Sequence, residues 1–190
     1  MDTKKEAVRT KAKGTLHVQG LKLVFTQEVS VQAPKFKEVM ELDVMGKKIL
    51  VTSVYNGKQA WIRADDKDVK VTDEIMAAFK DAAYGMSLMQ GAFGSDKAVK
   101  FALVGDAQVK GKACVGVTVS TEGKKDINLF FDKKSGLISK VEMRTRDLMS
   151  GQEVTEERYI TEYQTVDGRL VAKKIEVQRD GKALLEAEVT

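Results

Sequence analysis

Period-two alternation of apolar and polar residues runs through most of this chain, and few features restrict a fold more tightly. Leu21, Leu23, Phe25, Val29 and Val31 oppose Lys22, Thr26, Glu28, Ser30 and Gln32, and Phe36, Met40, Leu42 and Val44 oppose Lys37, Glu41 and Asp43. Successive side chains of a strand point to opposite faces, so each segment can bury one side and wet the other. The pattern returns at Val115, Val117, Val119; at Ile127, Leu129, Phe131; and at Leu137, Val141, Met143. It closes with Val171, Ile175, Val177 and then Ala183, Leu185, Ala187, Val189. Turn dipeptides separate these runs: Gly46-Lys47, Asn56-Gly57, Gly111-Lys112, Glu122-Gly123, Ser135-Gly136, Ser150-Gly151, Asp167-Gly168 and Asp180-Gly181. Asn-Gly and Asp-Gly favour the positive φ angles of two-residue hairpin loops, so consecutive strands should pair with their neighbours.

One stretch follows a different period. Thr72 or Asp73 can cap a helix, Asp73 and Glu74 suit its positive end, and Ile75, Phe79, Ala82, Ala83, Met86 and Met89 recur near 3.6 residues. Gly91 and Gly94 offer stops. Residues near 2–13 are a candidate for a second, shorter helix. The expected fold is mainly β (α+β): a single curved antiparallel sheet, or unclosed β-barrel meander, with a helix packed on its concave face. The 190 residues read as one domain, 1–190, with the Gly91–Lys97 stretch as a loop and potential hinge.

Charge and composition exclude several classes of function. Thirty-two basic and 28 acidic side chains give a net charge of +4, and they are interspersed rather than gathered into a basic stripe with aromatics. Lys47-Lys48, Lys124-Lys125 and Lys133-Lys134 fall near predicted turns and read as solvated hairpin ends, so no nucleic-acid partner is expected. Weak attraction to an anionic membrane surface stays open. A single cysteine rules out an intramolecular disulfide framework. No apolar run approaches the roughly 20 residues of a membrane-spanning helix. The opening Met1-Asp2-Thr3-Lys4-Lys5-Glu6 does not resemble a signal peptide.

A search for chemistry returns little. His17, the only histidine, has no motif around it and reads as a surface or satisfied polar residue. Asp65-Asp66-Lys67-Asp68 lacks the ligand spacing of a calcium loop. Cys114, between Ala113 and Val115, reads as a small buried residue. Glu153, Glu156, Glu157 and Glu162 read as the wet side of a strand, and Glu157, Tyr159 and Tyr163 as a polar-aromatic surface. No catalytic residue, metal ligand or cofactor is expected. The least ordinary feature is methionine: Met76, Met86 and Met89 flank Leu88 on the helix, and Met40 and Met45 lie on or beside an early strand. Methionine adapts to irregular space, which suits either a cavity for flexible chains or a loosely filled core.

Four phrases carry a family resemblance. Ala33-Pro34-Lys35-Phe36-Lys37, followed by Val54-Tyr55-Asn56-Gly57-Lys58-Gln59-Ala60-Trp61, resembles the bacterial outer-membrane lipoprotein carrier family (LolA/LolB-like). Phe131-Asp132-Lys133-Lys134-Ser135-Gly136-Leu137 and Tyr163-Gln164-Thr165-Val166-Asp167-Gly168 are similar to its later hairpins, so the likeness spans about residues 15 to 190. It implies an unclosed β-barrel capped by helices, with an apolar cavity that holds acyl chains in the periplasm. Carriers typically place arginine before the proline, tied to cargo release, where this chain has Ala33. The expected function is therefore a non-catalytic periplasmic binding protein for an acyl chain, lipid or lipoprotein, its export signal removed, acting as a monomer. The alternative is a periplasmic sensor or protein-interaction domain of the same fold without a ligand. On the first reading Leu21, Leu23, Phe25, Phe36, Met40, Leu42 and Trp61 line the sheet, and Ile75, Phe79, Met86 and Met89 form the lid. Possible partners are a lipid or acylated protein, with peripheral contact to a membrane or a lipoprotein.

Overall fold

The computed structural model describes residues 7–89, 99–147 and 152–190. The expected hinge at Gly91–Gly94, the Ser150-Gly151 turn and residues 2–6 of the expected N-terminal helix lie outside them. Among the described residues, thirteen strands and one helix follow one another. The strands are β1 (Val8–Val18), β2 (Leu21–Gln32), β3 (Lys35–Val44), β4 (Lys47–Tyr55), β5 (Ala60–Ala64) and β6 (Lys67–Val69), then helix α1 (Asp73–Met89). After it come β7 (Val99–Val109), β8 (Lys112–Thr121), β9 (Ile127–Asp132), β10 (Ile138–Arg146), β11 (Glu153–Val166), β12 (Arg169–Arg179) and β13 (Lys182–Val189). The sheet order is β6-β5-β4-β3-β2-β1-β13-β12-β11-β10-β9-β8-β7, an antiparallel meander with β6 and β7 as its edge strands. Contacts divide the chain, read above as one domain, into two compact units: Met1–Ala92 with Ala187–Thr190, and Phe93–Glu186.

Several hairpins use two-residue loops in which both residues take positive φ, as at Asp167-Gly168 and Asp180-Gly181. Met45-Gly46 and Lys110-Gly111 do the same, one residue before the glycine-lysine pairs that flagged them. Asn56-Gly57 instead belongs to a four-residue loop in which Asn56 Oδ1 accepts from the backbone N–H of Lys58 and Gln59, at 2.9 and 2.8 Å.

In the first unit, β1 corrects the expected N-terminal helix. Arg9, Lys11 and Lys13 are exposed while Thr10 and Ala12 between them are half-buried, a strand period that the density of charge had hidden. Pairing with β2 along its whole length, from Val8 opposite Val31 to Val18 opposite Leu21, satisfies its backbone on that side. Helix α1 begins where the sequence placed it. Thr72 Oγ1 accepts from the N–H of Ile75 at 3.4 Å, and the Thr72 carbonyl takes the first helical bond from Met76 at 2.9 Å. Thr72→Ala should therefore lower stability by about 0.5–1 kcal/mol in urea denaturation, the usual worth of a cap.

The second unit is built on β7 to β12. Cross-strand pairing aligns Val119, Ile127, Met143, Glu156 and Arg179 in one row and Val117, Leu129, Val141, Arg158 and Val177 in the next. Glu156, expected on a wet face, is instead 4% exposed. The alternation of β11 sends Glu156 and Glu157 to opposite sides, and Glu156 falls on the apolar one. Arg158 donates to Glu156 Oε1 through Nε at 2.8 Å, and its Nη2 lies in an ion pair with the same oxygen at 2.7 Å. Arg179 donates to Oε2 through Nε and Nη2 at 3.0 and 2.9 Å, and its Nη1 meets Asp147 at 3.0 Å. Burial would raise the Glu156 carboxyl, but the two guanidinium groups outweigh it and hold it below its ordinary value. On the other side Cys114 is fully buried with Val109 and Phe130.

Candidate functional site

The site is built from the apolar face of the first unit's sheet. Register decides which side chains share it. Phe36 pairs with Val31 and Tyr55, Tyr55 with Ala60, and Met40 with Gln27 and Val51; Leu42 pairs with Phe25 and Ile49. Directly opposed residues lie on the same face of a sheet, so these strands present Phe25, Phe36, Met40, Leu42, Tyr55 and Ala60 together. Leu21 and Leu23 alternate onto it from β2, opposite Val18 and Leu16.

Helix α1 covers one end of this face. Phe79 and Ala83 are buried with Phe36, Tyr55 and Ala60, and Ile75, Met76, Ala82 and Met86 pack around them with Val31, Ile62 and Val71. Phe36 stacks on Phe79 with ring centroids 5.4 Å apart, and Tyr55 joins both rings at 5.9 and 6.3 Å. Offset and edge contacts at these distances are favourable beyond the area they bury. Phe36, Ile75, Phe79 and Met86 are thus brought together in a close-packed core. The Tyr55 hydroxyl donates to the Gly57 carbonyl at 3.0 Å, which satisfies it at the rim.

Away from the three rings the same face is less covered. Leu23, Met40, Leu42, Val44, Ile49 and Val51 are each half-buried, neither core nor solvent-exposed. Phe25 is almost completely buried and Leu21, at the β1–β2 hairpin, is exposed. Gln27 and Glu38 lie on this face and are hydrogen-bonded to each other, a polar pair set within the apolar field. The side chain of Met89 lies outside the described residues.

Trp61 departs from the expected lining. It pairs with Val54, while Ala60 and Ile62 on either side of it reach the helix core, so its ring points to the opposite face of the sheet. There, 49% exposed, it borders an open groove of about 410 Å³ whose lining includes Thr52, Val54, Arg63, Asp68 and Val71. Tyr55, Ala60, Ile62, Ile49 and Val51 escaped the sequence reading. Strand β4 carries apolar residues on both faces, with Leu50 between Ile49 and Val51, so its parity is ambiguous until the register is known.

Other candidates resolve into structural roles. Asp65 Oδ1 accepts from the Leu50 N–H at 2.8 Å, and among the described residues no group of three or more metal-ligating side chains assembles. Lys140 bridges Glu142 at 2.7 Å and Glu157 at 3.0 Å, with its ammonium 4.3 Å from the centre of the Phe130 ring. Burial opposes its charge, yet the two carboxylates keep its pKa above the ordinary value. Tyr159 lies beneath the Lys110 ammonium at 4.7 Å, and burial, then Glu157, push its phenol up. Tyr163 donates to the Ile138 carbonyl at 2.8 Å.

No family model matches this sequence, and no curated protein is similar to it at a significant level. Solved structures do resemble it. A DUF1329 family protein from Desulfovibrio piger aligns over 100% of this chain and 85% of its own, with a TM-score of 0.56 at 16% identity. A LolA superfamily protein from Nitrosomonas europaea aligns over 98% and 85%, with a TM-score of 0.58 at 8% identity. A structure described as an outer membrane lipoprotein-sorting protein domain, from Vibrio parahaemolyticus, aligns over 97% and 83%, with a TM-score of 0.52 at 11% identity. An unclosed antiparallel meander with one described helix, matched over nearly its whole length by these proteins, gives this chain a LolA-like fold.

Proposed function

We propose that this protein is a non-catalytic carrier or holder of an apolar chain, which it binds on the helix-bearing face of its first unit. The observation that carries this reading is the half-buried field of Met40, Leu42, Val44, Ile49 and Val51 beside the closed aromatic core. Apolar side chains left part-covered on a sheet face gain by taking up hydrocarbon, at about 0.8 kcal/mol per CH₂ withdrawn from water. The three rings and α1 form the floor and end wall, while the flexible Met40 thioether adapts to the occupant. The Gln27–Glu38 pair, with Ser53 opposite Glu38, supplies polar groups on this face that can orient one end. An acyl chain, free or attached to lipid or protein, has the required chemistry. The Vibrio domain is described as lipoprotein-sorting, and we extend its cell-envelope setting to this chain.

Native mass spectrometry after addition of palmitate tests the reading. One retained fatty acid per chain is expected, with affinity at least about tenfold lower in Met40→Glu, which sets a charge into the apolar field. Met40 suits this test better than Met86, whose packing against the buried aromatic cluster ties it to folding. Equal uptake by the folded Met40→Glu variant, or none by either protein, would remove the proposal.

A further inference from the structure

We infer that the opposite face of the first unit's sheet docks onto an anionic lipid bilayer. Cross-strand register sorts the charges of β1 to β6 by face, which the linear sequence does not. One row across the outer face reads Arg9, Ser30, Lys37, Val54, Trp61, and the next reads Lys11, Glu28, Val39, Thr52, Arg63, Asp68. A third row begins Lys13, Thr26, Glu41, Leu50. With Lys22, Lys35 and Lys48 on the same side, the face carries eight cationic side chains against four carboxylates, the fourth being Asp43. The excess equals the net charge of +4 that the whole chain carries.

Most of those carboxylates are already engaged within the face. Glu28 meets Arg9 at 2.5 Å and Lys11 at 3.9 Å, Glu41 meets Lys48 at 2.7 Å, and Asp68 meets Arg63 at 3.9 Å. The excess of four cations makes the outward field cationic, and that field surrounds apolar groups that the fold leaves in water. Trp61 is 49% exposed, Leu50 45% and Val24 62%, all on this face. An amphipathic indole among lysines and arginines matches the chemistry of a bilayer interface. The ring sits at the level of the headgroups while the cations meet lipid phosphate. Charge complementarity thus selects an anionic membrane among possible partners. A single-stranded nucleic acid would need successive aromatic platforms, and Trp61 is the only aromatic that β1 to β6 present on this side.

Trp61 is the chain's single tryptophan, so its fluorescence reports on this surface alone. With vesicles of phosphatidylglycerol and phosphatidylcholine at low salt, the emission should shift to the blue, iodide quenching should fall, and the protein should sediment with the vesicles. Pure phosphatidylcholine should do none of this, and 0.5 M salt should reverse it. Lys37→Glu with Arg63→Glu, confirmed folded by circular dichroism, should weaken binding by roughly tenfold or more. Unchanged emission with no sedimentation overturns the inference. So does equal binding by the double variant, or a response to single-stranded RNA with none to anionic vesicles.

Discussion

Phe36→Ala is expected to lower the free energy of unfolding by about 3–5 kcal/mol, among the largest effects available to one substitution in the first unit. Phe36 is 6% exposed and its ring contacts both Phe79 and Tyr55, so truncation removes transfer free energy and two aromatic contacts together. Neighbouring Val31, Ile75 and Met86 can refill the space only in part, and the remaining cavity adds to the loss. Guanidinium denaturation followed by far-ultraviolet circular dichroism measures the effect. Phe36→Leu, which keeps more of the volume, should lose less than half as much. A loss below about 1 kcal/mol for the alanine variant would mean that α1 does not rest on the three rings.

Glu156→Ala is the second large effect, about 3 kcal/mol or more of destabilisation. Removing one partner of a buried ion pair leaves the other charges uncompensated. Here those are Arg158 and Arg179, whose three hydrogen bonds to the carboxylate are lost together with the Arg158 Nη2 ion pair, leaving Arg179 with Asp147. The exposure of both guanidinium groups lets water recover part of the loss, which places the expectation at the lower end of the range for buried pairs. The pH dependence has a definite sign. A carboxyl whose folded pKa lies below its unfolded value contributes stability above the unfolded value near 4.5, lost as pH falls through the folded one. Wild-type stability should therefore fall below about pH 4.5, and in Glu156→Gln that fall should be shallower. Parallel curves for the two proteins would assign the acid sensitivity to other carboxylates.

The sequence made the meander and the helix legible because both rest on local periodicity. The alternation from Leu21 to Val31 and from Phe36 to Val44 is set by side chains two apart, and Thr72 marks the start of α1 within a single turn. What it hid depends on pairing between strands. Trp61 occupies a five-residue strand, too short for its own pattern to declare a face, and only the Val54–Trp61 register turns it outward. Glu156 sits among acidic neighbours that suggest water, and its burial depends on Arg179, 23 residues later. Strand β1 is hard to read because its dense charge leaves only Thr10 and Ala12 to mark a covered side against Arg9, Lys11 and Lys13, a weak signal until pairing with β2 is known. The cationic outer face has the same origin: its lysines and arginines come from five strands and are adjacent only after pairing.

Methionine methyl groups offer the most direct test of an apolar chain binding on the helix-bearing face. Met40 lies half-buried in the proposed field, while Met45, 95% exposed in the β3–β4 turn, provides an internal control on the same strand pair. With the methyls labelled with carbon-13, titration with palmitate should shift the Met40 resonance in a saturable way and leave Met45 in place. A Met40 signal that stays fixed while fatty acid binds elsewhere, or equal shifts at Met45, would contradict the account.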